Sequence, residues 1–302
     1  MSDRILVPLD GSPLAEQALG CAITLARALP AEIVLLRAVS IPPDTEVVLN
    51  SVGLEVATLR EQVEEEASSY LREVASELED AHLVVRQVVR HGPPSEAIVD
   101  YAAEPDIRQI VMTTHGRTGI SRWTHGSVAE RVLQSASVPV LMVRAEEPEL
   151  YISPPHVSLR RILVPLDGSR VAEQVLPSVT EIAQALHAKM ILFQVPIIYV
   201  SGSLSGDWYL PIHGVLETAT QDAEAYLDRT AAGLREEGVT VSTAMRIGGV
   251  ADAIIGYAQA NRVDLIAMCT HGRTGLGRWL LGSVSDRVLR GSRVPILLVR
   301  AS

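Results

Sequence analysis

Cysteine is scarce in this chain. Its 302 residues include two cysteines, Cys21 and Cys269, one in each half and at non-equivalent positions. This number and placement exclude a disulfide framework and a cysteine-based zinc site, and the usage is typical of a reducing cytosol. Cys269 has no Cys-x-x-Cys partner, so we expect a small buried residue there rather than a redox centre.

Long apolar runs are also missing. No stretch reaches the ~20 apolar residues that a membrane helix requires, and no leader-like apolar region precedes the strand-like run that starts at Ile5. The 47% hydrophobic content nevertheless supplies enough apolar surface for two ordinary cores. The sequence therefore predicts a cytoplasmic globular protein without membrane association.

Basic residues are outnumbered by acidic ones. The chain has 26 Lys and Arg against 36 Asp and Glu, which gives a net charge of −10. Binding to DNA or RNA backbones depends on clustered Lys and Arg, so this balance disfavours a nucleic acid partner. Any anionic ligand must be held by a local arrangement of donors.

The chain does contain a long internal repeat. Three segments of the first half return in the second half: Arg4–Ser12 as Arg161–Ser169, Thr114–Gly119 as Thr270–Gly275, and Gly126–Val128 as Gly282–Val284. The period is the size of an independent domain and far longer than a solenoid repeat. We predict two tandem domains, residues 1–147 and 159–302, joined by a proline-punctuated linker at about 146–158.

Each half alternates short apolar strands with helical segments. Such alternation predicts a doubly wound α/β domain with a five-stranded parallel sheet, covered by helices on both faces. The expected helices of the first half run from the Ser12 cap to near Pro30, from Leu54 to Asp80 and from Ser95 to Ala103. The expected strands are Ile5–Leu9, Glu32–Val39, Leu83–Val89, Ile107–Thr113 and Val138–Val143, then Ile162–Leu166, Met190–Val195, Thr240–Arg246, Leu265–Met268 and Pro295–Val299.

The turn after the first strand is one candidate ligand contact. In doubly wound sheets, ligands bind beyond the carboxyl ends of the strands where the strand order reverses. Asp10 and its equivalent Asp167 end the first strand of each half, and each could accept a hydrogen bond from a ribose hydroxyl or an adenine amino group. Ser12, two residues after Asp10, is expected to cap the following helix.

A glycine-rich segment after the fourth strand is the second candidate contact. Gly116 is separated by nine residues from Gly126-Ser127, and Gly272 by nine from Gly282-Ser283. Glycine lets a backbone approach an anion closely, and a helix N-terminus attracts negative charge. We expect Ser127 and Ser283 to serve as both helix caps and phosphate donors. The loop arginines, Arg117 and Arg122 with Arg273 and Arg278, could neutralise phosphate or simply face water.

The sequence resembles the tandem form of the universal stress protein family over nearly its whole length. The resemblance depends on Val-Pro-Leu-Asp-Gly-Ser after strand one, Thr-His-Gly-Arg-Thr-Gly after strand four, and the closing Val-Pro-Val-Leu-Met-Val of residues 138–143. It implies two doubly wound, Rossmann-like domains of the adenine nucleotide alpha hydrolase type. It also implies ATP as ligand and a dimer contact through the last strand.

The resemblance also implies a set of site residues. The ATP-binding branch of the family has Gly-x-x-Gly, nine residues, then Gly-Ser, and this chain departs from that motif at the first glycine, where Thr113 and Cys269 stand. The adenosine contacts of the family fall at Asp10 with Ala38 and at Asp167 with Val195. The full expected set is Pro8, Asp10, Ala38, Thr113, Gly116, Arg117, Gly126, Ser127 and Val128, with Pro165, Asp167, Val195, Cys269, Gly272, Arg273, Gly282, Ser283 and Val284.

Three functions remain open from the sequence. The first is a cytoplasmic ATP-binding stress or regulatory protein with two similar sites and little or no catalysis, since no Walker lysine motif is present. The second is a weak ATPase or phosphotransferase in which Asp10 or Asp167 binds Mg²⁺ with the triphosphate. The third is a ligand-free module that recruits a protein partner. In each case we expect the two halves to pair within the chain and the chain to form a homodimer.

Overall fold

The computed structural model describes residues 3–41, 56–79, 82–114, 126–145, 157–196, 212–270 and 282–301. By spatial proximity the chain divides into two compact units. The first consists of Met1–Ser158 with Arg293–Arg300, and the second of Leu159–Ser292 with Ala301–Ser302. Both have the predicted α/β architecture, built on parallel strands.

The first unit contains a parallel sheet in the order β3-β2-β1-β4-β5. The order reverses between β1 and β4, because the chain moves from β1 to one side through β2 and β3 and then returns to the other side. Its strands are β1 (Arg4–Pro8), β2 (Glu32–Val39), β3 (Val85–His91), β4 (Ile107–Thr113) and β5 (Val140–Val143).

The inner strands β1 and β2 are mostly buried on both faces, as their Val/Ile/Leu runs without alternation predict. In β1, Ile5, Leu6 and Val7 are buried, and in β2 the run Ile33–Leu36 is at most 1% exposed. Burial of both faces is what helices on the two sides of a parallel sheet produce. The edge strand β3 begins two residues later than predicted and is largely exposed, since one of its sides has no neighbour in the sheet.

The helices of the first unit follow the predicted plan with one correction. The segment predicted as one helix from Ser12 to near Pro30 is two helices, separated at Gln17. The Gln17 amide bonds to the Leu14 carbonyl, three residues back, so the regular helical ladder is interrupted there. The helices are α1 (Pro13–Glu16), α2 (Ala18–Ala28), α3 (Val56–Glu79), α4 (Pro94–Ala102) and α5 (Ser127–Ser135).

The second unit repeats this order with parallel strands β9-β6-β7-β8. Its strands are β6 (Arg161–Pro165), β7 (Lys189–Gln194), β8 (Thr240–Met245) and β9 (Leu265–Cys269). Each lies within two residues of its predicted bounds. Its helices are α6 (Arg170–Glu173), α7 (Leu176–Leu186), α8 (Ile212–Glu236), α9 (Val250–Ala260) and α10 (Ser283–Gly291).

The last strand of the chain, β10 (Ile296–Val299), belongs to the first unit. It pairs antiparallel with β5, with Leu297 opposite Leu141. The family resemblance implied a contact through the last strand, and apolar strands at a sheet edge tend to find partners. Its partner is the equivalent strand of the second repeat, and Ile296, Leu297 and Leu298 are each at most 2% exposed.

Candidate functional site

A cavity of about 380 Å³ opens at the carboxyl ends of β1, β2 and β4 in the first unit. This is the point where the strand order reverses, and the volume lies within the range of small-molecule sites. Seven residues that the sequence predicted for the site line the cavity: Pro8, Asp10, Ala38, Thr113, Gly126, Ser127 and Val128.

One wall of the cavity is the turn that follows β1. The Asp10 Oδ1 atom accepts hydrogen bonds from the Ser12 amide at 3.0 Å and the Ser12 hydroxyl at 2.6 Å. Ser12 Oγ in turn accepts from the Ala15 amide at 3.2 Å, which confirms its predicted role as helix cap. Gly11 lies in the left-handed region with φ +85°, so a side chain there would be strained. The turn holds the Asp10 carboxylate at the mouth of the cavity.

The opposite wall is the N-terminus of α5. The prediction that Ser127 is the helix cap is wrong, because the Gly126 carbonyl accepts the first helical bond from the Glu130 amide and makes Gly126 the cap. Ser127 is the first helical residue. The amides of a first helical turn have no partner within the helix and carry the positive end of its dipole. Ser127 and Val128 therefore bring anion-seeking amides to the cavity.

The absence of a side chain at Gly126 has no explanation within the described part of the protein. Its φ of −60° and ψ of 145° suit any residue. A Cβ atom built there would meet the Thr114 carbonyl oxygen at 3.5 Å, an ordinary contact distance. Gly126 lines the cavity, so glycine at this position adds no side chain to that part of its wall.

A third wall contains a cation that sequence reasoning missed. Arg37 lines the cavity next to Ala38, and its guanidinium carbon lies 4.9 Å from the centre of the Tyr70 ring. The Tyr70 hydroxyl donates to Glu16 at 2.7 Å. Burial first, and then this bond to Glu16, raise the pKa of Tyr70, so the phenol stays neutral. Arg37 thus places a positively charged side chain at the β2 end of the cavity, beside a neutral phenol.

The residues that stand in place of the first motif glycine end their strands. Thr113 is the last residue of β4 and is 6% exposed, and Cys269 is the last residue of β9 and is 5% exposed. The prediction of a small buried residue at Cys269 is confirmed. Cys21 is also buried, and burial raises the pKa of its thiol to about 12, so that thiol is protonated and unreactive at neutral pH.

The second unit repeats the local geometry of both walls. Asp167 Oδ1 accepts from the Ser169 amide at 2.9 Å, and Ser169 caps α6. Gly282 rather than Ser283 is the cap of α10, because its carbonyl accepts from the Asp286 amide at 2.9 Å; the prediction that Ser283 is the cap is therefore wrong for the same reason as in the first unit. Pro165 ends β6, Val195 follows β7, and Ser283 and Val284 begin α10.

Some predicted residues lie outside the described residues. These are Gly116, Arg117, Gly272 and Arg273, together with Arg122 and Arg278. Within the described ranges there is no group of three or more His, Cys, Asp or Glu side chains that could hold a metal ion. No helix in that part of the chain is both long and apolar enough to cross a membrane.

A family model of the universal stress proteins matches residues 1–144 and again residues 158–300. The chain belongs to the universal stress protein family. A universal stress protein from Mycolicibacterium smegmatis is 27% identical over 301 residues, which is 98% of this chain and 96% of that protein. Another from Methanocaldococcus jannaschii is 32% identical over 143 residues, which is 47% of this chain and 82% of that protein.

The tandem architecture also has a match among solved structures. The crystal structure of a universal stress protein from Archaeoglobus fulgidus aligns over the whole of both chains with a TM-score of 0.74 and 21% identity. At this identity the likeness shows the fold. This universal stress protein thus has two family domains, each with the Asp-Gly-Ser turn and the Gly-Ser helix start that its sequence repeats.

Proposed function

We propose that this universal stress protein binds adenine nucleotide, with ATP as the ligand, at up to two sites and acts as a cytoplasmic stress-response regulator. In the first domain the adenosine would lie between Asp10 and Ala38, and the triphosphate would reach Gly126, Ser127 and Val128. The corresponding contacts in the second domain are Asp167, Val195, Gly282, Ser283 and Val284.

One observation carries the proposal. A single cavity is lined both by a carboxylate-bearing turn at the end of β1 and by a helix N-terminus whose capping residue, Gly126, has no side chain. A nucleotide has groups for both walls, since its ribose and base donate hydrogen bonds and its phosphates accept them. The remaining expected contacts are Pro8, Thr113, Gly116 and Arg117, with Pro165, Cys269, Gly272 and Arg273.

Calorimetry on the full chain tests this proposal. ATP should bind to the wild-type protein, and acid extraction of freshly purified protein should release adenine nucleotide. Valine at Gly126 or at Gly282 should each remove one site, while valine at both positions removes binding. Absence of binding at millimolar ATP together with no extracted nucleotide overturns the proposal and favours the ligand-free interaction module.

Association into a homodimer and recruitment of a further protein partner are part of the same proposal. Because β5 is already paired with β10 in the first domain, a homodimer would form through another surface, such as the outer edge of β3 or a helical face. Sedimentation velocity on the full chain measures this directly. A purely monomeric protein at high concentration would contradict the dimer.

A further inference from the structure

The two domains place different side chains at one equivalent position beside the candidate sites. β2 and β7 pair with the first strand of their domains in the same register, which makes Arg37 and Gln194 equivalent residues. The neighbouring tyrosine and glutamate are repeated: Tyr70 donates to Glu16, and Tyr226 donates to Glu173 at 2.9 Å. The exchange of arginine for glutamine therefore occurs beside a tyrosine–glutamate pair that both domains share.

Arg37 presents hydrogen-bond donors that no described residue uses. Its guanidinium stacks on Tyr70 and lies against Gly11, where a Cβ would meet it at 3.2 Å. Within the described ranges this guanidinium makes neither a hydrogen bond nor an ion pair. Stacking occupies the face of a guanidinium and leaves its N–H groups in the plane. These donors border the cavity and require acceptors from a ligand.

The side-chain oxygen of Gln194 also lacks a polar partner among the described residues. The residue is 9% exposed, and its Oε1 atom is buried. Buried side-chain amides almost always find partners in folded proteins. Both equivalent positions thus carry a polar side-chain group without a hydrogen-bond partner among the described residues. At position 37 this group is a charged guanidinium, which only donates, and at position 194 it is a neutral amide, which donates and accepts.

The strand order places this position at the end of the site away from the phosphates. β1 lies between β2, which carries Arg37, and β4, which leads to Gly126. Two strand spacings separate these walls by roughly 10 Å. If the triphosphate occupies the N-terminus of α5, then Arg37 faces the base of the nucleotide.

We infer that Arg37 and Gln194 shift the purine preferences of the two sites in opposite directions. Arginine pairs with the two acceptors O6 and N7 of guanine, whereas glutamine pairs with the amino group and N7 of adenine. The first site therefore favours guanine nucleotides relative to the second site, and the second favours ATP. This inference rests on the proposed nucleotide-binding function.

Reciprocal exchange of the two residues tests the inference in the full chain. In the Gly282→Val background the second site is blocked, so titration with ATP and GTP measures the first site alone. In the Gly126→Val background the first site is blocked, and the same titrations measure the second site. In the first site, Arg37→Gln should lower the GTP-to-ATP affinity ratio by about tenfold. In the second site, Gln194→Arg should raise that ratio by a similar factor.

A lysine variant separates base recognition from simple charge attraction. Arg37→Lys keeps the positive charge but loses the planar fork, so the affinity ratio should fall as it does with glutamine. The two Arg37 variants should keep the wild-type unfolding midpoint, which shows that the change lies in the site and not in the fold.

The possible failures are distinguishable. Unchanged ratios in Arg37→Gln and Gln194→Arg, with ATP still bound, overturn this inference and leave the proposed function intact. Equal weakening of ATP and GTP by Arg37→Gln also overturns it, because arginine would then act only through charge. If the wild-type chain binds neither nucleotide, the proposed function itself fails.

Discussion

Replacing Gly126 with alanine should weaken nucleotide binding and leave the fold nearly unchanged. Alanine adopts the observed backbone angles without strain, and its Cβ would lie 3.5 Å from the Thr114 carbonyl oxygen. Alanine is a poorer helix cap than glycine by up to about 1 kcal/mol. It also reduces the freedom of the unfolded chain, which stabilises by about 0.4–1 kcal/mol. These effects oppose each other, so the free energy of unfolding should change by less than about 1 kcal/mol.

The same methyl group acts directly on the ligand. Gly126, Ser127 and Val128 all line the cavity, so the methyl group enters the space from which a phosphate reaches the helix amides. Loss of one hydrogen bond to a charged group costs about 1.5–3 kcal/mol. This corresponds to an affinity loss of about 10- to 100-fold. A protein that is equally stable but binds far more weakly is the expected result.

Calorimetry in the Gly282→Val background measures this loss at the first site alone. ATP and GTP should weaken by the same factor, because they share the triphosphate that the methyl group displaces. Gly256→Ala is a matched control, since Gly256 lies within α9 and a Cβ there meets no atom within 4 Å. Unchanged nucleotide affinity in Gly126→Ala, at unchanged stability, would refute the placement of the phosphates at α5.

Three further predictions concern stability, the last strand and the chemistry of the sites. The raised pKa of Tyr70 means that the folded protein holds this proton more tightly than the unfolded chain, whose tyrosine titrates at 10.0; the stabilisation is complete below that pH and is lost as the pH rises above it. Tyr70→Phe should therefore flatten the decline of unfolding free energy in alkaline urea titrations, and an unaltered slope would contradict this. Deletion of residues 293–302 should uncover the apolar edge of β5, lowering the melting temperature and promoting self-association, whereas a stable monomeric product in sedimentation would count against the β5–β10 pairing. ATP turnover should not exceed that of heat-denatured protein; turnover that disappears on joint replacement of Asp10 and Asp167 by asparagine would instead establish the weak ATPase.

Much of the fold could be predicted because strand and helix signals are local. The strands β2 and β4 have their predicted bounds, since each combines a short cluster of Val, Ile and Leu with flanking residues that do not continue it. The break at Gln17 could not be predicted, because the apolar stripe of Leu14 and Ala18 continues across it and the interruption is a change in hydrogen bonding. Pairing of β10 with β5 likewise depends on where distant parts of the chain meet.

The candidate site likewise has features that the sequence predicts and others that it does not. Asp10, Gly126 and Ser127 follow strand ends, and sequence reasoning placed them together because the carboxyl ends of parallel strands share one edge. The helix cap is Gly126 and not Ser127. The cap is the residue whose carbonyl accepts the first helical hydrogen bond, and this depends on the backbone geometry rather than on the side chain. Arg37 was missed because it lies inside a strand pattern. Its only sequence signal was a positive charge where the second repeat has Gln194.

A crystal structure of the full chain grown with millimolar ATP tests the central claim most directly. The account predicts triphosphate density within hydrogen-bond distance of the Ser127 and Val128 amides or of the Ser283 and Val284 amides, with the adenosine extending toward Asp10 or Asp167. Empty cavities at that concentration, or phosphates bound away from both helix N-termini, would contradict it.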